Sequence, residues 1–166
     1  MNREPCPSCG HRGFDHPSKI VAHGDRLGAA AEGYCAGCGA QRTFALLLSD
    51  ERVPDGAWGN DEPSTLIDAG EWLALADQFG AIVPATIENL DRDARNEARA
   101  NLAKGIAAVG EVLKFLPPDA FEPPRSAFFT ARGLEVYVAD RARFHRDRLE
   151  VLLEAWRDLA DSFVEN

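Results

Sequence analysis

Four cysteines of this 166-residue chain fall into two pairs, Cys6-Pro7-Ser8-Cys9-Gly10 and Cys35-Ala36-Gly37-Cys38-Gly39, with 25 residues between Cys9 and Cys35. Two residues between cysteines let both sulfurs of one turn point at a single ion, about 2.3 Å away for zinc. A glycine follows each pair, and glycine can close such a turn in the left-handed conformation without a Cβ clash. Backbone N–H groups of the turn then donate to the thiolates and temper their charge. Two pairs supply four ligands and fill a tetrahedron. The ion expected of Cys6, Cys9, Cys35 and Cys38 is therefore one structural zinc, with no open position for a substrate.

These knuckles resemble the zinc-ribbon class, whose turns commonly read Cys-Pro-x-Cys-Gly. Residues 6–10 match that pattern fully, while residues 35–39 keep the cysteines and the glycine but lack the proline. The resemblance covers residues 1–48 and implies a fold for them, not a function, because such ribbons serve transcription, translation, enzymes and interaction proteins alike. Iron in a rubredoxin-like site uses the same ligands, although electron carriers of that type need no long helical addition. A redox dithiol would place its first cysteine at a helix start, whereas here Gly10 and Gly39 follow the pairs directly. His11, His16 and His23 lie among the cysteines and compete as ligands only if a thiol is displaced. With four thiols at hand, they read as loop or strand histidines.

The elements that must hold these turns are short. Ile20 to His23 reads as a strand, Ala30 to Tyr34 as its partner with Gly24 and Gly28 marking the turn, and Thr43 to Leu48 as a third strand. Three such strands are too few to bury a core unaided, which gives a metal staple its physical purpose. Residues 49–63 form an acidic linker loop. Residues 64–166 read as a bundle of three to four helices, so the fold class is α+β: a small N-terminal three-stranded ribbon followed by a mainly α-helical part. The first helix is expected from a Ser64 or Thr65 cap to about Phe79, with Gly80 ending it. A long amphipathic helix follows from about Pro84 to Leu116, where Pro117-Pro118 stops it. Gly105 and Gly110 weaken that helix or admit a close neighbour. A shorter stretch runs from about Arg125 to Ala139, interrupted near Gly133, and a last helix from about Phe144 to Phe163.

The chain begins Met1-Asn2-Arg3-Glu4-Pro5-Cys6, without the apolar run of a secretory signal. No stretch of about 18 uncharged apolar residues appears, so no membrane span is expected. A cytoplasmic, reducing location follows, and it favours metal over disulfides. The formal net charge of −9 is uneven: +1 over residues 1–49, −7 over 50–77 and −3 over 78–166. Such a surface repels a phosphate backbone and suits a basic protein partner.

Catalytic patterns are absent. There is no phosphate-binding glycine loop, no Gly-x-Ser-x-Gly, no His-Glu-x-x-His and no zinc deaminase signature. Asp68, Glu71 and Asp77 read as solvated helix charge, and Asp91 to Arg99 as i to i+4 pairs on the long helix. The basic run Arg141, Arg143, His145, Arg146 and Arg148 reads as a turn balanced by Asp140, Asp147 and Glu150. Trp58, with Asp55, Asp61 and Glu62 around it, is the candidate partner-binding cluster; the alternative is that Trp58 covers the join of ribbon and bundle. The leading functional reading is a non-enzymatic zinc-binding protein acting through protein–protein contact, an immunity or antitoxin protein being its specific form. Two other readings stand beside it. One is a nucleic-acid-binding ribbon regulator, touching its ligand through Arg12, Lys19, Arg26 and Arg42. The other is an enzyme with the zinc as a clamp.

Overall fold

The computed structural model describes residues 5–11, 18–23, 26–47, 58–59, 61–86, 88 and 90–164. The chain forms two compact units, Met1–Arg52 and Val53–Asn166. The first holds a three-stranded antiparallel sheet in the order β1 (Ser18–His23), β2 (Arg26–Tyr34), β3 (Gln41–Leu47). The register pairs His23 with Arg26 and Val21 with Gly28, so Gly28 lies inside β2 rather than in the turn. Tyr34 pairs with Gln41, and the second cysteine turn is the connection between those two residues.

Alternation along the strands sorts the sheet into two faces. Ala31 faces Phe44, and Gly33 faces Arg42. Ala31 and Arg42 are buried, and the Arg42 guanidinium lies 4.9 Å over the Phe44 ring. The opposite face carries exposed Glu32, Tyr34, Gln41 and Thr43.

The second unit contains α1 (Ala69–Ile82), α2 (Arg92–Leu113), α3 (Ala131–Ala139) and α4 (Arg146–Ser162), with short 3-10 turns at Arg125–Ala127 and Arg141–Phe144. With the sheet, this makes an α+β protein. Helix α1 packs on α2 and α3, and α2 on α4. Their common core includes Leu73, Val109, Val112, Phe144 and Leu149. Phe128, Tyr137 and Phe144 form an aromatic trio, with Phe128 stacked 4.1 Å from Tyr137 and edge-on 5.0 Å from Phe144. No described helix is long and apolar enough to cross a membrane.

Several helix boundaries differ from the sequence expectation, each for a visible reason. Ser64 caps only a local turn, its Oγ accepting from Leu66 N and Ile67 N. The cap of α1 is Asp68, which accepts from Glu71 N at 2.8 Å. Helix α2 starts not at Pro84 but after Asp91, whose carboxylate accepts from Ala94 N. Asp91 thus acts on the backbone and Arg95 donates to Leu90 O, and none of the ion pairs of the described residues joins the charges from Asp91 to Arg99. Gly80 lies inside α1 because it faces Trp156, where a Cβ would come within 2.8 Å of the indole. Gly105 of α2 faces the same indole, where a Cβ would come within 2.5 Å, while Gly110 meets nothing within 4 Å. Trp156 is therefore the wedge at which α4 meets α1 and α2.

Gly133 does not interrupt α3; it lies in its first turn. A Cβ there would fall 1.8 Å from Asp68 Oδ1, and one on Gly70 would fall 2.1 Å from the Gly133 carbonyl oxygen. Asp68 is thus not solvated charge but fully buried, and Glu71 is buried as well. Asp68 Oδ2 accepts from both Thr130 N and Thr130 Oγ1, at 2.7 and 2.8 Å. Thr130 Oγ1 in turn accepts from Gly133 N at 2.9 Å and caps α3. One carboxylate joins the starts of two helices.

Candidate metal centre

Each cysteine pair sits in a turn of the same construction. In the first, Cys9 N and Gly10 N donate to Cys6 O at 3.3 and 2.7 Å, and Cys6 N donates to His11 O at 3.0 Å. In the second, Gly39 N donates to Cys35 O at 2.8 Å, and Cys35 N to Ala40 O at 2.9 Å. Gly10 and Gly39 take φ of 71° and 70°, the left-handed conformation their positions demand. The equivalence of the two turns extends one residue past each glycine, to His11 and Ala40. The repeated Cys-x-x-Cys-Gly-x register was the sequence signal for that closing bond.

The turns bring the four sulfurs together from positions up to 32 residues apart, all within 4.8 Å of one another. Sγ of Cys6 lies 3.7 Å from that of Cys38, and Sγ of Cys9 lies 3.6 Å from that of Cys35. A disulfide needs about 2.05 Å, so these are thiols in contact, not bonds. A tetrahedron with metal–sulfur distances of about 2.3 Å has edges of about 3.8 Å. The two cross-turn contacts already match that edge. With all four sulfurs within 4.8 Å of one another, the donor set is positioned to hold a four-thiolate ion.

Electrostatics point the same way. The Cys6 thiol is drawn down to about 6, first by the Ser8 backbone N–H, with neighbouring cysteine contacts assisting against burial. Gly37 N occupies the matching place on Cys35 Sγ at 3.4 Å. For Cys9 the His11 N–H is the largest single influence and pulls its proton affinity down. The Cys38 thiol, burial and the other sulfurs together outweigh it and push Cys9 up to about 12. Four sulfurs this close resist carrying four negative charges, and a divalent cation at their centre removes that conflict.

Cys6 and Cys35 are buried, whereas Cys9 and Cys38 are exposed. The histidine of the first turn, His11, packs across the second, where a Cβ on Gly37 would come within 2.7 Å of His11 Cβ and 3.3 Å of Cys9 Sγ. His11 thus buttresses the cluster, and the group of metal-ligating side chains among the described residues consists of the four cysteines. His16 lies outside the described residues, as does the side chain of His23.

The other residues singled out by sequence are dispersed. Trp58 is half exposed and packs on the helical unit, its ring 6.2 Å from Phe79 and 5.9 Å from Trp72, with Nε1 donating to Lys104 O at 3.4 Å. Asp61 and Glu62 are exposed, and Asp55 lies outside the described residues. Of the four ribbon cations, Arg42 is buried and Lys19 lies 3.9 Å from Glu32. Arg12 and the Arg26 side chain fall outside the described residues.

The basic run around His145 is balanced, chiefly by two carboxylates that the sequence did not single out for it. Arg141 binds Glu122 through two hydrogen bonds, and Arg143 binds Asp77 at 3.0 and 2.5 Å. Tertiary packing brings Glu122 and Asp77 to the run from elsewhere in the chain, and of the carboxylates expected from sequence Asp140 adds an electrostatic attraction to Arg143. Arg141 holds the Glu122 carboxyl below the ordinary glutamate value of 4.5. Comparison with protein-family models, with curated proteins and with solved structures finds no match to this chain.

Proposed function

We propose that the chain is a zinc-stabilised binding protein without catalytic activity, in which the ion braces the N-terminal sheet and the acidic helical unit meets a basic protein partner. The observation that carries this reading is the donor set. Four thiol sulfurs lie within 4.8 Å of one another, and a tetrahedral ion so bound has no position left for water or substrate. A small sheet with few buried side chains gains most from such a staple, since structural zinc supplies about 10–16 kcal/mol of apparent binding energy. The acidic balance of residues 50–166 supports a cationic partner. Neutralisation of a basic toxin is one form of that partnership.

The test is elemental analysis of the purified protein together with its visible spectrum. One equivalent of zinc and a colourless solution support the reading, whereas a coloured, iron-loaded protein or an empty one overturns it. Cys9→Ser, or removal of the ion by a chelator, is expected to abolish the dispersed strand amide signals of residues 18–47. The helical circular dichroism of the second unit should persist. Strand signals unchanged without metal would count against a structural ion.

A further inference from the structure

Where the chain leaves α2, residues 117–121 run back over the first turn of α4 and enclose a shallow groove of about 310 Å³. Its lining mixes two chemistries: apolar Pro118, Ala120 and Phe121, and acidic Asp119, Asp147 and Glu150. Phe121 is 57% exposed, although an aromatic side chain in a loop next to a formed core could have turned inward. It is fixed in that outward position. The ring packs on that of His145, tilted by 40° with 4.1 Å between centroids. Its own carbonyl accepts from Arg146 N at 2.8 Å.

The one cation lining the groove is already committed. Arg146 Nε donates to Ala120 O at 3.2 Å and Nη2 to Pro117 O at 2.7 Å, so the guanidinium ties down the loop. None of the three carboxylates takes part in an ion pair among the described residues. Asp147 has a local explanation, because an acid in the first turn complements the helix dipole. That explanation does not extend to Asp119, which is on the loop, or to Glu150, which is a turn further on. The same line of α4 continues through Glu154 and Asp158, four residues apart, with exposed Val151 beside it.

An exposed aromatic ring flanked by carboxylates that form no ion pair among the described residues is the surface complement of a side chain with an apolar stem and a cationic head. We propose that this groove receives a basic segment of another protein, with an arginine or lysine lying on Phe121 between Asp119 and Glu150. Further cations of the same segment follow Glu154 and Asp158 along α4. The proposal rests on the protein-binding reading above and places its contact surface. A polyanion is repelled from the same surface, so nucleic acid is not its occupant.

The test uses the full chain with its metal, labelled with 15N and titrated at low salt with a peptide of alternating arginine and alanine. Saturable shifts are expected at Ala120, Phe121 and the amides from Arg146 to Glu150. The double substitution Asp119→Asn with Glu150→Gln, and separately Phe121→Ala, should each weaken binding by about tenfold. Asp93→Asn with Glu97→Gln on α2 should leave it unchanged. These positions are on the surface, and an unaltered amide spectrum without peptide shows each variant folded. Shifts spread evenly over all acidic surfaces, or equal binding by the Asp119/Glu150 variant, would overturn the groove. Saturable binding at a different surface would overturn the groove and leave the protein-binding reading standing. No binding of the cationic peptide anywhere, at low salt, would overturn both.

Discussion

At the scale of single residues, the metal centre depends on positions that no ligand inventory includes. Gly37 carries no side chain because His11 of the other turn occupies that space, within 2.7 Å of where a Cβ would be. Gly37→Ala must push the two cysteine turns apart, at a cost of about 1–3 kcal/mol for an overpacked site. Competition with a chromogenic chelator should show weaker metal retention in Gly37→Ala, while His11→Gly in the same background, which removes the opposing Cβ, should restore part of it. Failure of that rescue would mean His11 is not the obstacle. The clustering of the four cysteines was legible in the sequence, because a Cys-x-x-Cys-Gly turn is specified within five residues. The contact of His11 with Gly37 was not, since it joins positions 26 apart and has no local signature.

At the scale of elements, the presence and order of three strands and the main helices were readable from periodicity, and their ends were not. Local rules placed a cap at Ser64 or Thr65 and a stop at Gly80. Tertiary partners moved the first to Asp68, where Thr130 supplies two more donors, and cancelled the second, where Trp156 fills the place of a side chain. The two internal glycines of α2 separate the local from the tertiary contribution. Gly105→Ala must displace the Trp156 indole and is expected to destabilise the helical unit by about 1–3 kcal/mol. Gly110→Ala meets nothing within 4 Å and should stabilise it by about 0.5–1 kcal/mol through helix propensity. Urea denaturation followed by circular dichroism distinguishes the two. Equal and same-signed effects would remove Trp156 from its role as wedge.

At the scale of the whole molecule, the net value of −9 conceals tertiary pairs among the described residues, Arg141 with Glu122 and Arg143 with Asp77. Arg141 lowers the Glu122 proton affinity from its ordinary 4.5, so Glu122 binds protons more tightly in the unfolded chain than in the folded one. Its contribution to stability is therefore complete above about pH 4.5 and is lost as pH falls through the lower folded value. Glu122→Gln should flatten that part of the acid stability curve and leave the neutral plateau shape unchanged. An identical acid limb in the variant would show that the pair does not report on folding.

The shared carboxylate of Asp68 has a consequence of polarity. Oδ1 faces the Glu71 amide of α1 and Oδ2 the Thr130 amide of α3, 62 residues away, and both of those groups are donors. Asparagine has the same shape but offers one oxygen and one NH2, so one of the two N–H groups must then confront another N–H. The threonine hydroxyl can rotate to accept, but a backbone amide cannot reverse its direction. Asp68→Asn, the mildest change in volume, is thus expected to cost about 1–3 kcal/mol and to release one helix start whichever way the amide turns. Amide exchange should reveal which of the two, Glu71 or Thr130, is left facing a hydrogen.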